Sequence, residues 1–217
     1  MIVAIAKNRG IGLKNMIPWR LGADLQYFKK KTIGNGNNAI VIGQNTWLSL
    51  TNSSKKKVFL PKRDNIILSK NNKRGWATKS KGDTNFFFSS IHQMKTHCKE
   101  RKYDEVWIIG GESLYMQTIP DADLQEIHVT EIEKIYKVDT YFPNIPDHFS
   151  LLSSIRKTSN DINYSHKVFI PMTKKIEFPR YGGIPQYSLS FYSHQKSIPY
   201  VSDKIELENR LNPIDHY

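Results

Sequence analysis

Apolar residues along this chain follow two periods, and the two alternate. Met1 to Ala6 is an unbroken apolar run rich in β-branched side chains, the pattern of a strand buried on both faces of a sheet. Residues 39–43, 65–69, 86–88 and 105–109 repeat it. Between them the period turns helical. Leu21, Asp24, Leu25 and Phe28 fall at i, i+3, i+4 and i+7, which predicts a helix over 22–31 with all four on one face. A short helix is expected from about Thr46. Another starts near Ile91, where Ser90 and Gln93 are spaced as a capping box and Ile91, Met94 and Cys98 form the apolar stripe. Gly110-Gly111 turns the strand before it into a helix start near Glu112, and residues 124–131 and 150–155 alternate as strands. Such alternation predicts an α/β domain with a central, twisted, mostly parallel sheet flanked by helices.

Length and composition narrow this picture only a little. The 217 residues suit one domain with a sizeable core, and no Gly/Ser- or Pro-rich linker divides them. The opening apolar run ends at Lys7 and Arg9, too short for a signal-peptide core or a membrane span, so a soluble, cytoplasmic protein with no membrane contact is expected. A single cysteine, Cys98, excludes an internal disulfide and a cysteine-based metal cluster, and no metal site is expected. The formal charge of +12 favours anionic partners without choosing among small anions, nucleic acids and membrane surfaces. The clusters Lys29–Lys31 and Lys55–Lys57 read as solvated faces.

Asp24 is the residue with chemistry to explain. A carboxylate pointing where apolar side chains point costs several kcal/mol unless paired, and a ligand with several donors would cancel that cost. The ordinary alternative is an acid in a first helical turn, complementing free N–H groups and the dipole. The preceding loop, Lys7 to Trp19, carries Gly10, Gly12 and Pro18-Trp19, and it brings backbone and acid toward one cleft.

Here the sequence resembles a known family. Ile2-Val3-Ala4-Ile5-Ala6, Gly10-Ile11-Gly12, Pro18-Trp19 and Ala23-Asp24-Leu25-Gln26-Tyr27-Phe28-Lys29 look like dihydrofolate reductase. So do Ile40-Val41-Ile42-Gly43 with Thr46-Trp47, Leu60-Pro61 with Arg63, and Asn65-Ile66-Ile67-Leu68-Ser69. Ile108-Ile109-Gly110-Gly111 with Leu114-Tyr115, Val129-Thr130, and Asp139-Thr140 with Phe142-Pro143 follow. One such block is weak; the N-terminal group and the six that follow it, in collinear order from residue 1 to about 155, are specific. The resemblance implies a sheet of about eight strands with an antiparallel C-terminal strand. It also implies NADPH-dependent reduction of 7,8-dihydrofolate to tetrahydrofolate, with hydride added at C6 and a proton at N5, in support of one-carbon metabolism and thymidylate synthesis.

The resemblance also assigns roles residue by residue. Asp24 takes hydrogen bonds from the pterin, Thr130 holds Asp24, Tyr115 sits beside the reacting carbon, and Trp19 with Ile17 forms a lid over the nicotinamide. Phe28 lies against the substrate rings with Leu50 and Leu60 opposite, Ile2 and Val3 offer backbone groups, and Arg63 with Lys29 attracts the glutamate. Ala4, Ile11, Gly12 and Asn15 frame the nicotinamide. Gly43, Gln44, Asn45 and Thr46 hold the diphosphate together with Ile109, Gly110, Gly111, Glu112, Ser113 and Leu114. Ser69 and Lys70 meet the 2′-phosphate. Glu112 adds a negative charge near phosphates, and Gln44 and Ser113 stand where relatives often carry cations.

Beyond residue 155 the pattern weakens. Tyr187 to Tyr192 resembles the family's last strand better than Lys167 to Met172 does, which makes 157–185 an insertion in a domain of residues 1–193 and leaves 194–217 as an extension. Residues 205–211 suit a short amphipathic helix. A monomeric, free-standing reductase is expected rather than the reductase piece of a fusion with thymidylate synthase. The competing readings are a related pterin or pyrimidine reductase and a basic nucleic-acid-binding protein on a reductase fold, nucleic acid being a possible but unexpected partner.

Overall fold

The computed structural model describes residues 1–53, 60–70, 76–80 and 83–172. Over these residues the chain runs β1 (Ile2–Ala6), β2 (Gly10–Gly12), α1 (Gly22–Ile33), β3 (Ala39–Gly43), α2 (Gln44–Ser53), β4 (Asp64–Leu68), β5 (Trp76–Ser80), β6 (Asp83–Phe88), α3 (Ile91–Arg101), β7 (Val106–Ile108), α4 (Glu112–Thr118), β8 (Ile127–Ile132), β9 (Thr140–Tyr141), β10 (Phe149–Ser159) and β11 (Ile162–Pro171). The buried runs behave as their composition requires. Ile40, Val41, Ile42, Ile66 and Ile67 have no exposed surface, because β3 and β4 are central and covered on both faces. In α3 the Ser90 hydroxyl accepts from the Gln93 N–H at 3.2 Å. The reciprocal half of the box is displaced by one residue: the Gln93 side chain accepts from the Ser89 N–H. Cys98 packs on Met94 in this helix, and burial pushes its thiol up to about 11.

The expectation of one mostly parallel sheet is corrected. The strands form a four-stranded sheet in the order β1-β8-β11-β10, a five-stranded sheet in the order β5-β6-β4-β3-β7 and a separate small β2-β9 ribbon. The β1–β8, β3–β4, β3–β7 and β4–β6 pairs are parallel; β8–β11, β10–β11, β5–β6 and β2–β9 are antiparallel. The two larger sheets share one core, in which Val3, Ile5 and Val129 of the first meet Val41, Ile66 and Ile108 of the second. Their ladders do not join. The Met1 carbonyl accepts from His128 in β8, while the Ile2 carbonyl on the next residue is taken by the Tyr115 hydroxyl at 2.9 Å. A side chain thus uses the acceptor that a strand on that side would use.

The C-terminal part of the described domain extends the first sheet. β10 continues to Ser159, and β11 pairs along β8 from Phe169↔Ile127 to Tyr164↔Ile132. Residues 149–159 and 162–171 are therefore sheet, because β8 needs a partner on its outer edge and β11 supplies it. The Tyr187–Tyr192 strand, the 194–217 extension and Lys55–Lys57 lie outside the described residues. No described helix is long and apolar enough to cross a membrane.

Candidate active site

Three strands set one row of side chains. Ala4 is in register with Thr130 across the parallel β1–β8 ladder, and Thr130 with His166 across the antiparallel β8–β11 ladder. In-register residues share a face of the pleat, so these three stand side by side under α1. Ile2, His128 and Val168 form a parallel row on the same face. Helix α1 lies over it through Leu21, Ala23, Tyr27 and Phe28, which pack on Ala6, Ile132, Ile2, Ile40 and Trp107.

Asp24 enters this face from the first turn of α1, half-buried, with its side chain hydrogen-bonded to Thr130. Burial raises its carboxyl above the ordinary 3.8, and the Thr130 hydrogen bond opposes that shift. Its charge reaches Tyr27 and Tyr115, each already pushed upward by burial, Tyr27 to about 12. Among the described residues no basic side chain forms an ion pair with it. One part of the sequence reading fails here. Leu25, placed on the same face as Asp24, is 63% exposed; Leu21 just before the helix and Ala23, Tyr27, Phe28 and Thr32 within it face inward, and Asp24 sits at the margin of that stripe.

Beside Phe28 lies Arg63, 5% exposed, its guanidinium 5.6 Å from the ring centroid and bonded to the Thr32 hydroxyl. Thr32 in turn donates to the Phe28 carbonyl at 2.7 Å. This chain fixes a permanently charged, planar group along one side of an aromatic ring. Leu60 packs in the same cluster. Lys29 is exposed on the outer side of the helix.

The glycine-bearing loop is shaped by its own neighbours. A Cβ on Gly10 would stand 2.5 Å from Val138, and one on Gly12 would stand 2.7 Å from the Thr140 hydroxyl, so Val138 and the start of β9 set the close approach. Trp19 is buried among Ala6, Leu21, Ile132 and Tyr164, against the Tyr136 ring at 5.3 Å. Ile17 and Met16 are 58% and 66% exposed at the loop tip.

At the carboxyl ends of the adjacent parallel strands β3 and β7, two helices begin at Gln44 and Glu112. Gly43 donates to the Gly110 carbonyl at 2.8 Å, and a Cβ on Gly111 would meet the Thr46 hydroxyl at 2.7 Å. Glycine backbone from two strand ends thus abuts where two helices begin, an arrangement whose backbone N–H groups can hold a diphosphate. Glycine at these positions fits such a group. Ser69 is buried and donates to the Gln44 side chain at 2.6 Å, while Lys70 is exposed at the end of β4.

The sequence profile described as dihydrofolate reductase matches residues 1–174. A dihydrofolate reductase of Buchnera aphidicola subsp. Baizongia pistaciae is 36% identical over 144 residues, 66% of this chain and 76% of the relative. One from Aedes albopictus is 28% identical over 184 residues, 80% of this chain and 97% of the relative. The chain belongs to the dihydrofolate reductase family. A bifunctional dihydrofolate reductase-thymidylate synthase of Paramecium tetraurelia is 30% identical over 172 residues, 78% of this chain and 34% of that protein. Reduction of dihydrofolate to tetrahydrofolate is the enzyme activity of this family member.

Within this dihydrofolate reductase the structure brings Asp24, Thr130, Phe28, Leu60, Arg63, Ile2 and Ala4 to the α1 face, and Gly43, Gln44, Thr46, Gly110, Gly111 and Ser69 to the strand ends. Two neighbours of the site were missed in sequence. Thr32, just past the expected end of the helix at 31, anchors Arg63. His166, 6% exposed, stands 3.0 Å from the Thr130 hydroxyl, and assigning residues 157–185 to an insertion removed it from view. The signal was the period of β11, which places Tyr164, His166 and Val168 on one face.

Proposed function

We propose that this reductase uses NADPH as its hydride source and Asp24 as the group that holds and activates the pterin. The observation that carries the reading is Asp24 itself: a half-buried carboxylate, held by a threonine and, among the described residues, in no ion pair with a basic side chain. Such a group is matched by a ligand offering two adjacent N–H donors, as the pterin N3 and 2-amino group do. Its negative charge favours the form of the substrate protonated at N5, which is the form that accepts hydride at C6. Thr130 keeps the carboxylate aimed. Phe28, Leu60 and Leu50 would line the ring-binding walls, Ile2 and Val3 would offer backbone beneath them, and the fixed guanidinium of Arg63 would take the glutamate α-carboxylate, with Lys29 adding attraction at the mouth.

NADPH, when bound, supplies the hydride. Gly43 to Thr46 and Ile109 to Leu114 would hold its diphosphate, with Glu112 the one charge opposing it. Ala4, Ile11, Gly12, Asn15 and Tyr115 would frame the nicotinamide, with Trp19 and Ile17 as its cover. Because the Ser69 hydroxyl is committed to Gln44, selection of the 2′-phosphate falls on Lys70.

Spectrophotometric oxidation of NADPH in the presence of dihydrofolate, run beside NADH and beside other pterin and pyrimidine substrates, tests this assignment. Turnover of those substrates but not of dihydrofolate would overturn it. Lys70→Ala is expected to raise KM for NADPH roughly tenfold, the effect of losing one charge contact of about 1.4 kcal/mol, with KM for NADH nearly unchanged. An equal rise for both would place the 2′-phosphate elsewhere.

A further inference from the structure

We infer that His166 is a positioning residue for Asp24: through Thr130 its imidazole tautomer and the protonation state of the Asp24 carboxyl are tied together. The inference rests on Asp24 being the acid of the site, and it follows from counting protons along the chain. Thr130 is 1% exposed and its single hydroxyl touches two groups, the Asp24 carboxyl and the His166 Nδ1 at 3.0 Å. A hydroxyl has one hydrogen to give. When Asp24 is ionised it only accepts, so Thr130 donates to it and Nδ1 must carry the hydrogen that Thr130 accepts. When Asp24 is protonated the chain reverses: Asp24 donates to Thr130, Thr130 donates to Nδ1, and the imidazole hydrogen sits on Nε2. The two states differ by one proton, and each hydrogen bond keeps one donor and one acceptor.

The surroundings keep His166 in the neutral form that this switch needs. Its ring is stacked on Tyr27 of α1 at 4.0 Å and meets Tyr164 edge-on at 5.2 Å. Burial first, then the positive charge of Lys157 in β10, brings its pKa down to about 4. Below the stack, polarity runs one way only. Glu126 accepts from His128 Nε2 at 2.9 Å, so the His128 Nδ1 accepts from the Tyr27 hydroxyl at 2.8 Å. Tyr115, Tyr164 and Tyr27 are the other titratable groups that feel Asp24, and all three are pushed upward and remain neutral. Among the described residues, His166 is therefore the neighbour of Thr130 able to donate in one state and accept in the other. Donation from Nδ1 polarises the threonine hydroxyl and strengthens its bond to the carboxylate, which holds Asp24 ionised against the effect of burial.

The test uses the full chain labelled with 13C at aspartate carboxyls and 15N in histidine rings. The Asp24 carboxyl shift and the His166 Nδ1 and Nε2 shifts are expected to change at one shared midpoint, and Thr130→Val is expected to separate them. His166→Phe should move the Asp24 midpoint up by about one pH unit, and the midpoint of the pH profile for hydride transfer with it. KM for dihydrofolate at low pH should change less than twofold. His166→Asn, which keeps a donor and an acceptor near the Nδ1 position, should recover most of the shift. A His166 tautomer that stays constant while Asp24 titrates, or a midpoint unmoved in both His166→Phe and His166→Asn, overturns the inference. Failure of the site assignment shows separately, as activity that survives Asp24→Asn.

Discussion

Asp24→Asn is expected to slow hydride transfer by about 10²- to 10³-fold near neutral pH, the range lost when a positioned charge or proton-transfer group is removed. The deficit should shrink in acid, where the substrate is protonated without help. The same variant should be more stable, not less. Burial raises the Asp24 carboxyl above its ordinary 3.8, so between that value and the raised one the folded chain holds more protons than the unfolded chain, and stability falls as pH rises through the window. At neutral pH the wild type carries that loss in full, and an uncharged amide escapes it. Thermal melts at pH 7 should therefore show a higher Tm for Asp24→Asn, with the difference vanishing below about pH 3.8. A slow variant that also melts lower would mean that damage to the fold, rather than loss of the charge, explains the rate. An unchanged rate would end the assignment.

Gly110→Ala is expected to be the most destabilising small substitution at the site. Gly110 has φ +103, and a Cβ there would lie 2.7 to 2.9 Å from Cε2, Cζ and Oη of Tyr115. That ring cannot yield: it is 3% exposed, edge-packed on Phe142 at 5.0 Å, and its hydroxyl holds the Ile2 carbonyl. Strained backbone and overpacking each cost about 1 to 3 kcal/mol. A loss of about 3 kcal/mol or more, and a Tm drop on the order of 10 °C, should follow. Gly43→Ala is the control. Its Cβ would meet the Gly110 carbonyl at 3.6 Å, an ordinary contact, so its cost should stay under about 1 kcal/mol while NADPH affinity falls. A Gly43→Ala protein that binds NADPH normally would remove the diphosphate from this cleft. A Gly110→Ala protein that melts with the wild type would show that Tyr115 can move.

Legibility in the sequence followed the range of the interaction. Elements whose cause is local were read to within a few residues: the unbroken apolar runs of β1 and β3, and the cap and stripe of α3. Leu25 was misplaced because Asp24 and Leu25 satisfy the same helical spacing, and which side of the stripe faces inward depends on what the helix meets. β9 and β2 were invisible, being short and held by pairing rather than by any periodicity of their own.

The linear order of residues was enough to establish strand and helix alternation, an acid on an apolar helix, a glycine turn between strand and helix, and membership of a reductase family. It could not reveal that Ile2 lends its carbonyl to Tyr115 or that Thr32 anchors Arg63. Nor could it show that Ala4, Thr130 and His166 line up across three strands. Those arrangements come from contacts between segments 31 to more than 113 residues apart. A shift of one residue in register would turn each of these side chains to the opposite face, so they exist only once the chain has closed on itself.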